Sequence, residues 1–110
     1  MTVNDPRELF EKRDQVQILD VREQYEWDAG HVEGALHLPL TQVMAGQEQG
    51  RLDPERPVVV ICKSGNRSEL ASVMLQARGY KAENFEGGTE VWAAAGLPLE
   101  ASDGTEGRVA

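Results

Sequence analysis

The chain has 110 residues, 40% hydrophobic and 27% charged, the size and make-up of one globular domain able to bury its own core. Nineteen acids against eleven Lys and Arg leave a net charge of −8, which argues against nucleic acid or an anionic membrane as the main partner. One cysteine excludes an internal disulfide framework, no apolar run approaches the ~20 residues of a membrane span, and the opening MTVNDPRELF lacks a basic region followed by an apolar one, so a reducing, cytoplasmic setting is expected.

Strands alternate with helices along the chain, without internal repeats or low-complexity blocks, which points to an α/β domain with a mainly parallel sheet. Thr2 and Val3 suit a short first strand. DPRELFEKRD reads as a helix with Asp5 as N-cap, Pro6 at the first helical position and Glu8 closing a capping box. VQILDV, 16 to 21, is the first clear strand. REQYEWDAG, 22 to 30, is a short helix stopped by Gly30, and ALHLP, 35 to 39, a short strand ending at Pro39. Thr41 is expected to cap another short helix.

PVVVIC, 57 to 62, is the most apolar stretch. Its β-branched run indicates a strand covered on both faces and therefore central. A helix follows from about Arg67 to Arg78, with Leu70, Val73, Met74 and Ala77 as its inward face and Gly79 at a left-handed C-cap. KAENFEG is expected to be the last strand and TEVWAAAG, 89 to 96, the final helix, with Trp92 inside. The domain is expected to span 1 to 101, followed by a small, polar and flexible tail at 102 to 110.

The only cysteine stands in CKSGNRS, 62 to 68, between the central strand and the start of a helix. The tip of a parallel strand facing a helix N-terminus is where open α/β sheets bind ligands, because unpaired N–H groups and the positive end of the dipole meet there. A thiol so placed has a lowered pKa and reacts as thiolate. Lys63 and Arg67 add positive charge, Gly65 permits a tight turn that aims amides inward, and Ser64, Asn66 and Ser68 are small hydrogen-bonding residues. Lone cysteines are often merely small buried residues. Here the glycine, the cations and the helix start all bear on one sulfur, which favours a nucleophile in an anion cradle. That reading requires the amides to converge on Sγ and the sulfur to be reachable.

Three segments carry a resemblance to a family. ILDVREQYEWDAGHVEGALHLPL resembles the first block of single-domain rhodaneses, VVVICKSGNRSELASVMLQARGY their active-site block, and FEGGTEVWAAAGLPLE their closing block, in family order from about residue 2 to residue 100. The resemblance implies a central five-stranded, mainly parallel sheet with helices on both faces, and sulfurtransferase activity. It implies that Cys62 takes a sulfane sulfur from a small anionic donor (thiosulfate, polysulfide or persulfide), becomes a persulfide, and passes the sulfur to cyanide, a thiol or a protein acceptor. Lys63, Ser64, Gly65, Asn66, Arg67 and Ser68 would bind the substrate, with no metal or organic cofactor. Phosphatases and arsenate reductases of the same fold place five residues between Cys and Arg. Here there are four, KSGN, a tighter ring suited to one sulfur atom. A sulfur-delivery module acting on a protein acceptor would carry the same loop. A non-enzymatic interaction domain would not need the intact cysteine.

Asp20 and Arg22 end the second strand at the same sheet edge and are expected to tie loops together, acting on the active loop indirectly. Glu23 and Glu26 read as solvated or helix-capping acids. His31 is expected to fix a loop by a hydrogen bond, and His37 to be a structural strand residue; the two histidines and one cysteine lack metal-ligand spacing. Trp27, Trp92 and Phe85 are assigned to the core or the rim of the site. Arg67 has two options, the donor anion or an acid such as Glu86 or Glu90.

Overall fold

The computed structural model describes residues 2–110. Five parallel strands, β1 (Thr2–Val3), β2 (Gln17–Asp20), β3 (Leu36–His37), β4 (Val58–Ile61) and β5 (Ala82–Phe85), form one sheet in the order β1-β5-β4-β2-β3. Five helices connect and follow them: α1 (Pro6–Lys12), α2 (Gln24–Ala29), α3 (Leu40–Met44), α4 (Asn66–Ala77) and α5 (Gly88–Ala94). Among the described residues no helix is long and apolar enough to cross a membrane.

β4 is central for the reason its sequence indicates: all four residues of VVVI are buried. Because side chains alternate across a strand, Val58 and Val60 join one core with Val43 of α3 and Ala71 and Leu75 of α4. Val59 and Ile61 join the other, with Leu9 of α1 and Trp92 of α5. The sheet is thus covered on both faces, and β4 delivers Cys62 at its C-terminal end beside β2, where the Val21 amide donates to the Ile61 carbonyl.

Several local expectations are corrected. Asp5 does cap α1, accepting from the Arg7 and Glu8 amides, but Glu8 does not return the bond; its carboxylate takes the Lys12 ammonium instead, at 2.9 Å. Pro39, not Thr41, precedes α3. The inward face of α4 is Ser68, Ala71, Ser72 and Leu75, whereas Leu70 and Val73 are exposed. Three of the four are small, so this face of the helix packs on the sheet chiefly through small side chains and Leu75.

The polar tail, expected to be flexible, folds back on α2. The Arg108 amide donates to the Ala29 carbonyl at 2.8 Å, the Ser102 amide to the Asp28 carbonyl at 3.1 Å, and the Gly107 amide to Leu99 at 2.8 Å. The last carbonyls of a helix lack partners within it, and the tail supplies donors to them. A Cβ on Gly30 would strike the Arg108 backbone, so a glycine here is what permits the docking.

Candidate active site

The loop from Cys62 to Ser68 wraps around the cysteine sulfur. Gly65 takes a left-handed φ of 102° immediately before α4, the conformation a glycine adopts without strain. That turn brings its amide to 3.1 Å from Cys62 Sγ, as a donor. The Ser68 hydroxyl lies 3.2 Å from the same sulfur, and the Ser64 and Ser68 backbone adds to the stabilisation of its charged form. Burial pushes the Cys62 thiol up, but the Ser68 hydroxyl and the loop backbone outweigh it and hold the thiol below its ordinary value.

The convergence of donors required by the sequence reading is therefore present. The second requirement, a sulfur that can be reached, is not met in this conformation: Cys62 is buried, with 1% of its surface exposed. Above the loop lies an open depression of about 220 Å³, bounded by Ser64, Gly65, Asn66, Asn84 and Glu86 among others.

The loop is pinned from below by α5. Amides at the start of that helix donate to loop carbonyls, Thr89 to Cys62 at 2.8 Å and Glu90 to Lys63 at 3.2 Å. Gly88, with φ 59°, makes this approach possible, since a Cβ there would collide with the Cys62 and Lys63 carbonyls. On the other side Asn84 of β5 donates from Nδ2 to the Gly65 carbonyl at 3.2 Å and accepts the Ser68 hydroxyl at Oδ1. Neither Asn84 nor Gly88 stands out in the sequence. Their roles arise from the pairing of β5 with β4, and FEGG at a strand end is the only local signal.

Arg67 turns away from the sulfur. Its guanidinium makes a two-point pair with Glu26 of α2, Nη1 to Oε1 at 2.7 Å and Nη2 to Oε2 at 2.9 Å. Glu26, expected to be a solvated or capping acid, is not solvated, at 3% exposed, but it does cap: its Oε1 also accepts the Glu23 amide and completes a capping box on α2. The Arg67 hydrogen bonds hold the Glu26 carboxyl below its ordinary value, with nearby Arg22 a smaller contributor. The charge of Arg67 is thereby largely neutralised. The groups that favour the charged sulfur are the Ser68 hydroxyl first and then backbone amides of the loop, with Lys63 half-buried beside them.

Asp20 and Arg22 are fully buried and bound to each other, Arg22 Nη2 to Asp20 Oδ2 at 2.7 Å, with a further bond from Nη2 to the Gly30 carbonyl. They hold the turn between β2 and α2. His31 Nδ1 bonds the Trp27 carbonyl and His37 Nε2 the Arg22 carbonyl, each at 2.8 Å. Both rings stack on Trp27, and Phe85 and Trp92 lie in the core. Among the described residues no group of three or more His, Cys, Asp or Glu is arranged to hold a metal ion.

A family profile describing a rhodanese-like domain matches residues 2–95. The probable adenylyltransferase/sulfurtransferase MoeZ of Mycobacterium tuberculosis is 34% identical over 92 residues, covering 80% of this chain and 24% of that protein. The chain thus spans about a quarter of that relative's length. The thiosulfate sulfurtransferase GlpE of Vibrio cholerae is 32% identical over 101 residues, covering 91% of this chain and 92% of that one. The crystal structure of a rhodanese-related protein from Thermoplasma volcanium superposes with a TM-score of 0.82 at 27% identity, over 90% of this chain and 97% of that chain.

Proposed function

The chain belongs to the rhodanese-like domain family, and from that premise we propose that it is a sulfurtransferase whose nucleophile is Cys62. The observation that carries the reading is the convergence of the Gly65 amide at 3.1 Å and the Ser68 hydroxyl at 3.2 Å on a single sulfur at the end of the central strand. Donors so arranged favour a thiolate before reaction and stabilise a charged outer sulfur after it.

The reaction runs in two displacements. The Cys62 thiolate attacks the sulfane sulfur of a small anionic donor; with thiosulfate, the S–S bond breaks and sulfite leaves with its electron pair. The sulfur now carried on Cys62 is a persulfide anion, held by loop donors of which the Gly65 amide is the nearest. A nucleophilic acceptor, cyanide or a thiol, then attacks the outer sulfur, and Cys62 departs as thiolate. No group beyond the cysteine carries the sulfur. The four-residue spacing between Cys62 and Arg67 and the pairing of Arg67 with Glu26 both weigh against phosphoryl transfer, which needs a wider ring and a free guanidinium on the oxyanion.

Intact-mass measurement after incubation with thiosulfate tests this. The expected result is the gain of one sulfur atom, its loss on adding cyanide, and no gain in Cys62→Ser. Hydrolysis of an aryl phosphate without sulfur uptake would overturn it.

A further inference from the structure

Asn84 and Cys62 face the same hydroxyl. Ser68 Oγ lies 2.5 Å from Asn84 Oδ1 and 3.2 Å from Cys62 Sγ. A serine hydroxyl has one proton to donate, so it serves one acceptor at a time. The orientation of the amide is fixed chemically, because its other end faces the Gly65 carbonyl at 3.2 Å and must therefore be the Nδ2 donor. All three residues are buried, Ser68 completely, so the choice is made within the protein.

We propose that Asn84 is a positioning residue for sulfur transfer: its Oδ1 competes with Cys62 Sγ for the Ser68 proton and parks that donor whenever Sγ carries no charge. The inference rests on the sulfurtransferase reading for its catalytic consequence. In the thiolate the charge on Sγ attracts the hydroxyl. In the persulfide Sγ becomes a neutral bridging sulfur and the charge moves to the outer atom, so the hydroxyl returns to Asn84. When an acceptor attacks the outer sulfur, the S–S electron pair goes to Sγ and the hydroxyl rotates onto it as charge develops. No proton leaves Ser68; only its hydrogen bond moves. Stabilisation of this kind acts where charge appears during the step.

The charged groups around the loop are Lys63 and Arg67 on the loop itself, Glu26 on α2 paired with Arg67, Glu69 on α4, Glu86 after β5 and Glu90 on α5. None is changed by the variants below.

The test is titration of the Cys62 thiolate by its ultraviolet absorbance, with Cys62→Ser as blank. Asn84→Ala frees the hydroxyl for sulfur and is expected to lower the midpoint by about half to one pH unit. The shift disappears when the same change is made in Ser68→Ala, which alone raises the midpoint. A residue that merely props the loop through the Gly65 carbonyl would do the opposite, since loosening the amides raises the midpoint whether or not Ser68 is present. An upward shift, no shift, or a downward shift that persists without Ser68 would overturn the proposal. Asn84→Leu, which keeps the branched shape of the side chain without its polar atoms, gives the same readout should the alanine variant fold poorly. The titration needs no sulfur donor, so failure of wild-type protein to load sulfur would count against the functional reading without touching this result.

Discussion

Arg67 and Glu26 join the start of α4 to α2 through two parallel hydrogen bonds of 2.7 and 2.9 Å. The same carboxylate caps α2. One acid therefore fixes both the helix that begins the candidate active loop and the short helix beside it.

Breaking this pair from either side has different consequences. Arg67→Ala leaves a buried carboxylate without its cation and is expected to cost about 1–2 kcal/mol, moderated because the Arg67 side chain is 35% exposed. The pH dependence follows from the lowered Glu26 value. A carboxyl whose folded value lies below its unfolded one stabilises the fold above the ordinary value of 4.5, and that stability is lost as pH falls through the lowered folded value. Urea midpoints should therefore fall more steeply with acid in wild type than in Glu26→Gln. Parallel curves for the two proteins would show that the pair contributes nothing.

Gly88 supports the loop by having no side chain. Gly88→Ala places a Cβ against the Cys62 and Lys63 carbonyls at a φ of 59°, so loop or helix must shift. The expected cost is about 2–4 kcal/mol, with loss of sulfur uptake beyond what the stability change explains. Gly34→Ala is the control: its φ is 85°, but nothing lies within 4 Å of the added carbon, and the expected cost is only about 1 kcal/mol with activity retained. Thermal melts and sulfur loading of both variants separate strain from collision.

Glu48 is fully buried, with Oε1 on Arg78 at 2.9 Å and Oε2 without a partner. Arg78 also donates to the Val43 carbonyl, locking α3 against the end of α4. Arg78→Ala strands the carboxylate and is expected to cost about 3 kcal/mol. Glu48→Gln removes the charge while keeping the shape, and its cost should be smaller. Denaturant melts that rank the two the other way would show that the charge is not what the arginine satisfies.

The loop is legible in the sequence because its chemistry is local. CKSGNR lies between a β-branched strand and a helix start, and the turn at Gly65 needs only neighbouring residues. The order of strands and helices is legible for the same reason. What holds the loop is not: Glu26, Asn84 and Gly88 come from three other elements, and their contacts exist only once the sheet has assembled. Glu26 reads as a surface acid because its partner lies 41 residues away. Leu70 and Val73 of α4 point to the exposed face, whereas Ser68, Ala71, Ser72 and Leu75, three of them small, carry the buried one at the same spacing. The tail misleads because polarity predicts solvation, whereas its backbone donors meet the open carbonyls of α2.

Cys62 combines donors on its sulfur with an exposure of 1%, and these two properties separate in a kinetic experiment. A reagent reaches Sγ only when the loop leaves its closed position, which strains the bonds from Thr89, Glu90 and Asn84 to its carbonyls. Ionisation, in contrast, is set in the closed state, which dominates the population. Alkylation should therefore show a midpoint below the ordinary thiol value, following the lowered pKa, but a plateau rate at least about ten-fold below that of a free thiol, corresponding to an opening cost of ~1.4 kcal/mol or more. Low urea, below the global transition, should raise the plateau. A plateau equal to that of glutathione would mean that the loop stands open in solution, and a midpoint at or above the free-thiol range would mean that the amides do not hold the charge.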